Sequence, residues 1–110
     1  MATLAVQTVV RAGIIPTYAA AAGGGDVFPN SGEEFIHVKN GHSAPITVTV
    51  VSQSTVDGLA VADRAVVIAN ASEKMIGPFP ASVYNDANGR VNLTYDLVTA
   101  LTIAVVHPGV

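Results

Sequence analysis

The 110 residues predict an all-β domain, an antiparallel sandwich or jelly-roll-like barrel of about seven to eight short strands, on three observations. Valine occurs 18 times and leucine only 5, with 9 threonines and 7 isoleucines alongside. Branching at Cβ stiffens the side chain and suits a pleated surface, whereas a helical protein of this length leans on Leu, Glu, Lys and Arg. Runs with a period of two recur roughly every ten residues, each closed by Gly, Pro, Asn or Asp. Alanine, at 17, is the one strong helix former, but Ala19 to Ala22 lies between Pro16 and three glycines, too short a run to hold a helix.

The first strand is expected over residues 4–10, where Leu4, Val6, Thr8 and Val10 alternate with Ala5, Gln7 and Val9. Gly13 and Pro16 stop it. Residues 1–18 then read as an N-terminal arm separable from the domain, residues 19–33 as a long Gly/Ala-rich loop with a hinge at Gly23 to Gly25, and residues 34–110 as the sandwich core. Phe35 to Lys39 and Ile46 to Val51, joined through Asn40-Gly41, predict a hairpin with Ile46, Val48 and Val50 facing the core. Asp57-Gly58 predicts a turn, residues 65–69 a short buried strand, and Asn70 to Glu73 the turn behind it. Met75, Ile76 and Phe79 predict an edge strand, because Pro78 and Pro80 cannot donate to a ladder. The densest turn signal, residues 85–89, precedes strands over residues 91–95 and 101–106.

Composition excludes several classes of function. Thirteen charged residues in 110 is about half the share of an ordinary globular domain, too little solvating charge for disorder. Five Lys and Arg scattered along a chain of net charge −3 cannot neutralise a run of phosphates, so no nucleic-acid partner is expected. The absence of cysteine removes disulfides and thiolate metal sites. No apolar run approaches the roughly 20 residues of a membrane span, and the opening residues lack the basic start of a secretory signal, so synthesis in a cytoplasm is expected.

Candidate chemistry is weak in the same way. His37, His42 and His107 have no ligand-type spacing, and Asn85, Asp86, Asn88 and Gly89 lack the alternating acids and closing Glu of a calcium loop. Gly23-Gly24-Gly25-Asp26 is followed by no Lys-Ser or Lys-Thr, and no Gly-x-Ser-x-Gly elbow exists. The carboxylates fall almost wholly in expected turns. No enzyme activity, metal or cofactor is therefore expected. Asn70-Ala71-Ser72 and Asn92-Leu93-Thr94 match a glycosylation pattern common by chance.

The surface carries more information. A monomer of this mass exposes about 5,700 Å², so a charged residue occurs only once in about 440 Å². So sparse a surface is easier to understand if part of it lies against another protein, with Leu4, Val6, Ile14, Ile15, Tyr18 and Phe28 as the candidate contacts.

The string Glu34-Phe-Ile-His-Val-Lys-Asn-Gly41, followed by Ile46-Thr-Val-Thr-Val50, resembles the small head decoration, or cement, proteins of tailed bacteriophages. Similar blocks follow at residues 56–63, 74–80, 84–89, 91–95 and 101–106, and near the start at Arg11 to Gly13 and Pro16 to Tyr18. The likeness covers most of the chain apart from residues 20–33. It implies a jelly-roll-like β-sandwich on the outer capsid surface that clamps neighbouring major capsid protein subunits, with no catalytic residues. It also implies self-association, as a homotrimer over threefold positions or a dimer across twofold ones. A carbohydrate-binding or host-attachment module of the virion and a neck or tail connector are the competing expectations.

Overall fold

The computed structural model describes residues 2–109, so residues 1 and 110 of the expected arm and core lie outside the described range. In chain order the elements are β1 (Ala2–Thr3), β2 (Val6–Thr8), β3 (Ala19–Ala20), β4 (Asp26–Pro29), β5 (Phe35–Asn40), β6 (Ile46–Val50), β7 (Thr55–Val56), β8 (Leu59–Ala60), β9 (Arg64–Ile68), β10 (Ser72–Ile76), α1 (Ala81–Tyr84), β11 (Arg90–Tyr95) and β12 (Leu101–His107). Sheet A runs β1-β4-β11-β6-β9, and sheet B runs β10-β5-β12-β2 with β3 also paired to β12. β7 and β8 form a small hairpin of their own.

Among the strands of four residues or more every pairing is antiparallel, and every connection except β6 to β9 passes between sheets. The fold is thus the expected β-sandwich. Its core follows from alternation: Ile36 and Val38, Ile46, Val48 and Val50, Val91 and Leu93, and Leu101, Ile103 and Val105 all point between the sheets and are buried. Two pairings are parallel, β1 on β4 and β2 on β12, and both come from the first eight residues.

Several local expectations are corrected. Residues 4–10 do not form one strand; the chain pairs with sheet A at β1, crosses at Leu4 and Ala5, and pairs with sheet B at β2. The arm is therefore woven into both sheets, not separable from the domain. The stretch 19–33 holds β3 and β4, and β4 lies between β1 and β11 with Phe28 in the core. Nor is Gly25 a hinge. It is buried, at φ +92°, and a Cβ there would collide with the Leu93 carbonyl oxygen, so only glycine allows this approach to β11.

Asn40-Gly41 does not close a hairpin, because β5 belongs to sheet B and β6 to sheet A. Neither residue takes the positive φ of a tight hairpin turn. Asn40 instead braces an arch between the sheets: its amide donates to the carbonyls of Ala44 and Ile68, each at 3.0 Å, and its side-chain oxygen accepts the His42 N–H at 2.9 Å. β9 is an edge strand and only half-buried. Ala65 and Val67 pair with Thr49 and Thr47 on the outward face of sheet A. Phe79 lies beyond the end of β10 but in the core, and the single turn α1 after Pro80 sets Tyr84 edge-on to it at 5.7 Å.

Candidate functional site

The six candidate contacts do not gather on one surface. Leu4 and Phe28 belong to the core, with the Phe28 ring 5.8 Å from Phe79, so as surface contacts both are corrected. Val6, half-buried, packs against the same core. Ile14 is also half-buried, whereas Ile15 is 93% exposed. The short run Asp26–Pro29 shows no period because both ends are turn-type residues, which hid a buried strand inside an apparent loop.

Tyr18 has a structural role. Residues 17 and 18 lie across the outer face of sheet B, where the Gln7 amide donates to the Thr17 carbonyl at 2.8 Å and accepts the Thr17 N–H at 2.7 Å. The Tyr18 hydroxyl lies 2.6 Å from His37 Nδ1, and His37 Nε2 lies 3.0 Å from Glu73 Oε1. With the imidazole neutral, Tyr18 donates to Nδ1 and Nε2–H donates to the carboxylate. Lys39 Nζ sits 4.2 Å from the centre of the Tyr18 ring. Arm, β5 and β10 are thereby tied into one polar strap whose hydrogen-bonding groups face each other.

The carboxylates do structural work too. Asp26 is buried, accepts the Tyr95 hydroxyl at 2.7 Å and the Ala22 N–H at 3.2 Å through Oδ2, and has no partner for Oδ1. Burial, and then this carboxylate, raise the Tyr95 hydroxyl well above the ordinary tyrosine range. Burial also pushes the Glu34 carboxyl up, but the Ser31 N–H and hydroxyl, at 2.7 and 2.8 Å, outweigh it and hold the group below its usual value. Asp86 is lowered by donation from the Asn92 amide and from the backbone of Arg90 and Asn88, as turn chemistry requires. No group of three or more His, Asp or Glu among the described residues is placed to hold a metal ion.

What the surface presents is apolar. On a surface of 6014 Å², Val56, Leu59, Val67 and Met75 stand exposed at separate places, as do Ile15, Val9, Val10 and Leu97. Sequence reasoning missed the first four. The signal was present at Val56 and Leu59, since strands of two residues around Asp-Gly have no core to turn toward. Comparison with protein-family models, curated proteins and solved structures finds no match for the chain.

Proposed function

We propose that the chain is a structural virion protein that binds the outside of an assembled bacteriophage head and clamps neighbouring major capsid protein subunits. The observation that carries this reading is an exterior with only 13 charged residues in 110, on which Ile15, Val56, Leu59, Val67 and Met75 stand exposed at separate places. It is joined by the resemblance in residues 34–41 and 46–50. A protein that binds only the assembled shell stabilises it by RT ln(1 + [L]/Kd), and self-association adds avidity by engaging several subunits at once.

The carbohydrate-binding reading is less well supported. Sugar platforms present open aromatic faces, and all six aromatic residues here are buried or half-buried. The test is co-sedimentation of the purified protein with undecorated heads of the phage that encodes it. Saturable pelleting at a fixed copy number, with a raised temperature of DNA release, is the expected result. Protein that stays in the supernatant at concentrations well above those of the heads overturns the proposal, and selective signal on a glycan array replaces it with the second reading.

A further inference from the structure

The chain carries three tyrosines, and they meet different partners. Tyr84 packs edge-on against Phe79. Burial and the Asp26 carboxylate that accepts its hydroxyl both oppose loss of the Tyr95 phenolic proton. These two rings pack against the core. Tyr18 lies half-buried on the outer face of sheet B, and its hydroxyl is 2.6 Å from a nitrogen base, His37 Nδ1.

The imidazole is held ready to take a proton. His37 alternates with Ile36 and Val38, which face the core, so its ring points outward to the arm. Its Nε2 lies 3.0 Å from Glu73 Oε1, and the N–H donated there leaves the Nδ1 lone pair for the Tyr18 O–H. Lys39, two residues along β5, sets Nζ 4.2 Å from the centre of the Tyr18 ring. Met75 and Ala104, directly opposite His37 on β10 and β12, carry no charge. Among the described residues Tyr18, Glu73 and Lys39 are thus the titratable groups in contact with this pair.

A hydroxyl on an imidazole whose other nitrogen is fixed by a carboxylate is the arrangement that activates an oxygen nucleophile, with tyrosine here in the place of serine. We infer that Tyr18 is an acyl-acceptor site, which takes an acyl group from an activated ester with His37 as the base. Tyr18 Oη forms a bond to the ester carbonyl carbon while its proton passes to Nδ1. The tetrahedral adduct then breaks its bond to the leaving oxygen, which departs with the proton from Nδ1. An ester on Tyr18 and a neutral imidazole remain. Lys39 holds positive charge against the ring while the reacting oxygens are negative. This chemistry belongs to the chain alone and does not rest on the virion reading.

4-Nitrophenyl acetate is the probe. With the purified full chain it is expected to release 4-nitrophenol in a burst equal to the protein concentration, and peptide mass mapping should place the acetyl group on Tyr18 and not on Tyr84 or Tyr95. Tyr18→Phe, which keeps the ring beneath Lys39, should lose the burst. His37→Gln can still accept the hydroxyl hydrogen bond but cannot take the proton, and should slow the burst about 100-fold with an unchanged circular dichroism spectrum. In the wild type the burst rate should rise across about pH 5 to 8, where an imidazole ordinarily titrates, and then level off. That profile needs no variant to fold. Acetyl found on Lys39 in place of Tyr18, a burst that survives Tyr18→Phe, a folded His37→Gln that reacts at the wild-type rate, or a rate constant across that pH range overturns the inference.

Discussion

The two lateral sides of the sandwich are finished in opposite ways. On one, the chain binds its own edges: β1 lies on β4, β2 and β3 lie on β12, and Leu4 passes between the sheets into the core. On the other, β9 and β10 are joined by a tight turn, and both strands keep an unpaired edge. β10 carries Glu73 and Lys74 and is followed by Gly77-Pro78, features that discourage pairing, whereas β9 exposes Val67 with Arg64 its single charge. Self-covering makes the first side a source of stability. The second keeps two open strand edges.

The largest effect that separates the two sides comes from truncating one apolar residue on each. Phe28→Ala removes a fully buried ring from β4 and should cost about 3–5 kcal/mol. Val67→Ala, on the outward face of β9, should stay within about 0.5 kcal/mol. Urea unfolding of both variants measures the difference, and comparable costs would mean that the arm side is no better packed than the open one.

How much of this was legible in the sequence follows the same division. Strands with one face in the core announce themselves, as Ile46, Val48 and Val50 do against Thr47 and Thr49, and Asp57-Gly58 specifies its turn chemically. The arm side was hard to read. β4 has only four residues, opens with a buried aspartate and ends on a proline, and its burial depends on β1 and β11, far apart in sequence. Asn40-Gly41 carried a real turn signal, but a dipeptide does not say whether the chain returns in its own sheet or arches to the other. That choice was made by the carbonyls of Ala44 and Ile68 at the Asn40 amide. Leu4 and Phe28 were misread as contacts for a related reason, since apolar residues near a terminus look alike whether they meet a partner or their own core.

Asp26 offers a smaller test of the arm side. Tyr95→Phe leaves the buried carboxylate with the Ala22 N–H at 3.2 Å as its one donor, and should cost about 1–3 kcal/mol. In an Asp26→Asn background the same change should cost less, because no buried charge is stranded. A double-mutant cycle by thermal unfolding measures this coupling, and additive costs would show that the hydroxyl and the carboxylate act independently.

The smallest effect lies where β4 leaves sheet A, at the turn that Glu34 fastens to Ser31. The folded carboxyl titrates below its ordinary value of 4.5, so its stabilisation is complete above that pH and is lost as the pH falls through the lower native value. Ser31→Ala removes the hydroxyl donor but keeps the backbone N–H, and should cost about 0.5–1 kcal/mol at pH 7. The cost should shrink below pH 4.5 and vanish once Glu34 is protonated in both states. Melting temperatures of the two proteins from pH 7 to pH 3 follow the change. A constant gap would mean that Ser31 acts through the shape of the turn and not through the charge of Glu34, leaving the exit of β4 anchored by the neighbouring Asn30, whose amide donates to Phe79 O at 2.8 Å.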